Sequence, residues 1–131
     1  MLVDVAKIEN ENIFVVRYAA PFNPNEDIVA AQEQIAALLS SLDGTVYRID
    51  DLSNAKMKWN QFVEGIFVAT RDVPGSMVDP RIHGILVGED DMVQMASESM
   101  KQDQYGATNT PMFTTLDEAI TYAREHGPEA Q

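Results

Sequence analysis

The sequence predicts an α/β domain: a mixed sheet of about five strands in the order ββαβαβαβα, its first hairpin antiparallel and the rest parallel, with about four helices. Three observations predict it. Short runs of β-branched and aromatic residues alternate with longer segments whose apolar residues recur every three or four positions. Only the first two strands are close enough for a hairpin. After them each strand reaches the next through a helix, a connection that demands parallel pairing and right-handed crossovers.

The elements follow in order. "VDVAKIENENIFVVRYAA" reads as two strands, with Val3, Val5 and Ile8 roughly alternating with polar residues and "NIFVVRY" rich in strand formers. Glu9 to Asn12 is the polar turn between them, and "PFNPN" ends the second with two prolines. The first helix is expected over 26–42. Ile28, Ala31, Ile35, Leu38, Leu39 and Leu42 form its apolar stripe, with Gln32 the polar exception. Asn25 is the expected cap, Glu26 and Asp27 suit the positive end of the dipole, and Gly44 is the expected stop.

"TVYRID" is the next strand. Helical spacing returns in "KWNQFVEGIFVATR" through Trp59, Phe62, Val63, Ile66, Phe67 and Thr70. After the loop "DVPGSMVDP", "RIHGILVG" is a short strand suited to the middle of a sheet. "EDDMVQMASESMKQ" is a helix with Met92, Val93, Ala96 and Met100 inward, and "PMFTT" is a last short strand. The final helix opens on a capping box, Thr115 with Glu118, and buries Leu116, Ala119, Ile120 and Ala123 before Gly127-Pro128. Residues 1–127 are read as one domain and 128–131 as a flexible tail.

Bulk composition bounds function. The chain has 131 residues, 45% hydrophobic and 23% charged, enough for one core without a covalent staple. Cysteine is absent, which excludes disulfides, thiolate metal sites and cysteine nucleophiles. No apolar run reaches the roughly 18 residues of a membrane span, and the first ten residues are not a signal peptide, so a cytoplasmic location is expected. The formal net charge of −12 disfavours nucleic acid and anionic membranes and points to a basic protein partner or a divalent cation, or serves only to keep the domain soluble. Taken with the rest of the chain, a protein partner, a homodimer or a small lipid-like molecule is the expected contact.

"IFVVRYAAPF", the helix 26–42, "YRIDDLSN", "RIHGILVG" and "MFTTLDEAITYARE" together resemble STAS-like domains, the fold of the anti-sigma-factor antagonists. The likeness runs over residues 3–126 and is nearest the divergent SpoIIAA-like subgroup, related in turn to the lipid-binding Sec14 type. In the subgroup a Phe followed by a Leu-Asp-Glu-Ala helix is frequent, as in Phe113 to Ala119. The resemblance implies a regulatory binding module. In the antagonists proper, Asp-Leu-Ser precedes an Asp-Ser-Ser-Gly turn whose serine is phosphorylated. Asp51-Leu52-Ser53 matches the first part, but "NAKMKWNQF" has neither serine nor glycine where the second would stand. Ser53 is the nearest hydroxyl, and its commoner role is to cap the following helix.

Two candidate sites emerge. The first is a binding surface of Asp51, Ser53, Lys56, Lys58, Trp59 and Phe62. The apolar stripe from Trp59 to Phe67, widened by Val63 and Val68, is broader than one sheet face needs, and Met57, Met77, Met92, Met95 and Met100 would make such a surface adaptable. Lys56 and Lys58 either meet an anion or neutralise Asp50 and Asp51. The second is an acidic rim. Asp50 and Asp51 end one strand and Glu89, Asp90 and Asp91 follow another, so neighbouring strands would gather five carboxylates. Asp50, Asp51, Asp90 and Asp91 are then candidate ligands for Mg²⁺ or Ca²⁺ in a divalent-metal-dependent enzyme, or part of a phospho-acceptor. On the first reading no cofactor is expected. His83 and His126, the only histidines, form no spaced metal motif, and no nucleophile-elbow, dinucleotide or P-loop pattern occurs.

Overall fold

A computed structural model describes residues 3–126. The elements are β1 (Val3–Lys7), β2 (Ile13–Ala19), α1 (Pro24–Leu39), β3 (Val46–Asn54), α2 (Trp59–Ala69), β4 (Ile82–Val87), α3 (Asp91–Ser99), β5 (Met112–Phe113) and α4 (Leu116–Glu125). They form a five-stranded sheet in the order β1-β2-β3-β4-β5. β1 and β2 are antiparallel and every later pair is parallel, as the element order predicts.

Each strand sits beside its predecessor, so the crossovers β2-α1-β3, β3-α2-β4 and β4-α3-β5 all advance in one direction. Right-handed crossovers of one direction put their helices on one face of the sheet. α1, α2 and α3 accordingly share one core with Phe14, Val16, Val46 and Leu86. α4 follows the last strand and covers the other face, where Ala119 and Ala123 pack on Ile13, Tyr47, Ile49, Ile85 and Val87. Strand alternation delivers the two sets, even-numbered residues of β2, β3 and β4 facing three helices and odd-numbered ones facing one.

Several local expectations are corrected. The cap of α1 is Asn23, not Asn25: its side chain accepts from the Glu26 N–H, and Pro24 occupies the first helical turn, where a missing N–H costs nothing. Asn25 instead reaches across to Glu64 on α2. α1 ends at Leu39 rather than 42. Gly44 does hold a left-handed φ of 74°, but in the loop beyond. That loop is fixed by Arg81, whose guanidinium donates to the carbonyls of Leu39, Leu42 and Gly44. Gln32, polar within an apolar stripe, is buried because its amide donates to the Val68 carbonyl of α2 at 3.0 Å. β3 runs on to Asn54, past the expected end at Asp50. The capping box of Thr115 and Glu118 forms as read. Gly127, Pro128 and the proposed tail lie outside the described residues.

Candidate functional site: the outer face of α2

β3 carries Ser53 and Asn54 beyond its neighbours, and the chain then turns through Ala55, wholly buried, and Lys56, in the left-handed region at φ 50°. α2 starts at Trp59. The Lys58 N–H is met by the Gln61 side-chain oxygen at 2.8 Å, and the Gln61 amide donates to the Phe22 carbonyl at 2.8 Å. Gln61 thus fastens the start of α2 to the turn after β2.

From there α2 presents two apolar faces. Phe62, Ile66 and Ala69 point into the core, with Gly65 buried beside Ile28 of α1. Trp59, Val63 and Phe67, four residues apart, form a row on the outside, 60%, 50% and 64% exposed. The Trp59 and Phe62 rings touch, with centroids 5.3 Å apart, so the outer row is braced on the core at one end. At the other end the Arg71 guanidinium lies over the Phe67 ring, 5.6 Å from its centroid. A row of three large apolar side chains left to water is the width in excess that the sequence implied.

Beneath α2, on the sheet side, lies a buried polar cluster. Arg48 and Asp50 are two residues apart on β3 and share the helix-covered face. The guanidinium donates from Nε to Asp50 Oδ1 at 2.7 Å and from Nη2 to Oδ2 at 3.0 Å. It also donates to the Tyr18 hydroxyl and to the Gly75 carbonyl, and the Tyr18 hydroxyl donates to Asp50 Oδ2. Among the described residues no buried side-chain polar atom lacks a partner. Burial works against the Arg48 charge, but Asp50 and the Tyr18 oxygen outweigh it and raise its pKa. Burial and the adjacent Asp50 charge together push the Tyr18 phenol well above its ordinary range. Tyr18, Asp50, Leu52, Met57, Phe62 and Met77 line a cleft of about 40 Å³, space for a few water molecules rather than an acyl chain.

The residues singled out from the sequence separate accordingly. β3 and β4 are neighbours, pairing Asp50 with Leu86 and Asp51 with Val87, so the two acidic groups do end adjacent strands. Their side chains part company. Asp50 turns inward to Arg48, Asp51 accepts from the Ser53 N–H at 3.0 Å, and Asp90 caps α3 by accepting from Met92 N–H, with the exposed Asp91 in its first turn. Among the described residues no three His, Asp or Glu side chains are gathered as metal ligands. The cation that neutralises Asp50 is Arg48. Lys56 and Lys58 make no ion pair with any described residue. Ser53 is exposed in β3 and is not a helix cap, since Lys58 occupies that position. Phe62 is core, while Trp59 is surface. His83 is an exposed residue of β4 and His126 the C-cap of α4, both part of a ring cluster with Tyr47 and Tyr122.

Arg48 and Tyr18 carried no expectation. The readable signal was phase: in a strand whose even positions Val46 and Leu52 are apolar, Arg48 and Asp50 occupy the same face, and two opposite charges there imply a buried pair.

Comparison with protein-family models gives no match, nor does comparison with curated proteins. The site therefore has to be read from its own chemistry. The sheet order has no reversal of winding among the described strands, the feature at which ligand crevices usually open in parallel sheets. The exposed chemistry of this region is apolar contact, framed by cations.

Proposed function

We propose that the chain is a non-enzymatic binding module of STAS-like type that acts through protein–protein contact at the outer face of α2. The observation that carries this reading is the row of Trp59, Val63 and Phe67, exposed on a helix whose opposite face already satisfies the core. Large aromatic side chains on a rigid element are the usual anchors of protein interfaces, and a helix apolar beyond its core face has more contact surface than the fold consumes. The element order supports the STAS-like part of the proposal, as do Asp51-Leu52-Ser53 and the Phe113 to Ala119 string. The inward turn of Asp50 and the capping role of Asp90 favour contact over metal chemistry at the rim.

A photo-crosslinking side chain placed at Phe67 tests the reading in cells that make the protein. Discrete adducts at position 67, none at the exposed Gln34 of α1, and loss of the adducts on adding Trp59→Ala are expected. Adducts equal at both positions, or none at 67, would refute the proposal.

A further inference from the structure

The geometry points to an acidic amphipathic helix as the segment that docks on α2: its apolar side covers Trp59, Val63 and Phe67, and its carboxylates meet Lys56 and Lys58 at one end and Arg71 at the other. The inference rests on the reading of α2 as a contact face and adds the chemistry of the partner.

It comes from where the cations are committed. The chain has nine Lys and Arg against 21 Asp and Glu. Among the described residues, Arg17 pairs with Asp4, Arg48 with Asp50 and Arg124 with Glu11. Arg81 serves three carbonyls, and the Lys7 ammonium donates to the Ile8 carbonyl. Lys101 follows α3. Lys101, Lys56, Lys58 and Arg71 have no ion-pair partner among the described residues. Of these, Lys56 and Lys58 stand just before Trp59 in the chain and Arg71 lies over Phe67.

The two lysines gain nothing from α2 itself. Its first turn holds no acidic residue, and a cation there opposes the helix dipole. The 11 residues of α2, about 16 Å long, separate the lysines at its start from Arg71 beyond its end. On a chain of net charge −12, three cations bracket an exposed apolar row, with Glu64 and Asp72 the acidic residues of the same stretch. Complementary charge at an interface rim selects the partner and its register.

The same features discriminate among occupants. Two copies of this chain packed antiparallel through α2 would set Lys56 and Lys58 of each against Arg71 of the other, cation on cation at both ends. A flat anionic membrane would also meet Glu64, Asp72 and, on the neighbouring α3, Asp91 and Glu98, all exposed. A single helix is narrow enough to follow the row and its cations alone, and the four-residue spacing forms a ridge that a helix can pack against.

A display library of random amphipathic helices of roughly 18 residues, selected on the full chain and counter-selected on Phe67→Asp, tests this. Survivors are expected to carry Asp or Glu at both ends of their apolar stripe. Their binding, read by Trp59 fluorescence, should weaken about tenfold in Lys56→Glu/Lys58→Glu and also as salt rises. Phe67-dependent survivors with neutral or basic ends would overturn the inference while leaving the contact face standing. No Phe67-dependent survivor would remove both. A Trp59 shift with phosphatidylglycerol vesicles, or self-association abolished by Phe67→Asp, would give the face to a membrane or a second copy and overturn it as well.

Discussion

Arg48 and Asp50 meet through two hydrogen bonds on the core side of β3, each held by Tyr18 as well. A buried pair of this kind adds little over apolar packing, but breaking it strands a charge. Asp50→Ala is therefore expected to destabilise the fold by about 3–5 kcal/mol in denaturant titrations. Arg48→Met/Asp50→Leu should recover much of that loss, since neither charge then remains. A double variant destabilised by the sum of the two single losses would show that the pair has no mutual dependence.

Tyr18 makes stability sensitive to alkali. An unfolded chain ionises tyrosine near pH 10, whereas in the fold burial and Asp50 hold the Tyr18 proton to higher pH. Its contribution is complete below about pH 10 and is lost as pH rises toward the native value, at about 1.4 kcal/mol per pH unit. Equilibrium unfolding between about pH 10 and 11.5 should show a steeper fall in the native chain than in Tyr18→Phe. Parallel curves would contradict the buried phenol.

Phe62 and Phe67 are one helical turn and a residue apart yet should behave oppositely. Phe62 is buried, so Phe62→Ala is expected to cost about 3–5 kcal/mol. Phe67 is mostly in water, so Phe67→Ala should change stability by no more than about 0.5 kcal/mol. Thermal melts of the two variants suffice. A destabilised Phe67→Ala would mean that the outer row serves the fold.

Gly75 and Gly84 separate two kinds of close approach. A Cβ at Gly75 would lie 2.2 Å from the Gln32 carbonyl oxygen, at a φ of 86° that L side chains avoid. A Cβ at Gly84 would meet the flexible end of Met77, 2.5 Å away, which can move. Gly75→Ala should cost about 2 kcal/mol or more, shift the carbonyl that holds Arg48, and exceed the cost of Gly84→Ala. The reverse order would place the rigid contact at Met77.

Much of the architecture was legible because apolar spacing reports it directly. Val46, Ile49 and Val87, or Ala119 and Ala123, announce both their element and its buried side. Helix boundaries were less so. Asn23 and Asn25 are chemically equal caps, and only the position of Pro24 in the first turn decides between them. The acidic rim misled for a related reason. Adjacent strands bring Asp50 and Asp51 close to Glu89 in backbone terms, but side chains alternate, and Asp50 follows Arg48 into the interior. The outer row of α2 was visible as excess width, while the division between Phe62 and Phe67 depends on how α2 is rolled against α1 and α3. Gln61, Gln32 and Asn25 help fix that roll through contacts 39, 36 and 39 residues distant in the chain.

The unbroken strand order has a consequence for biogenesis. Because every strand docks on the one made just before it, a ribosome delivers the sheet in the sequence in which it is laid down. β2 and β3 can zip together with α1 folded over them while the message for β5 is still being read, and the nascent edge that waits for β5 is the last seam to close.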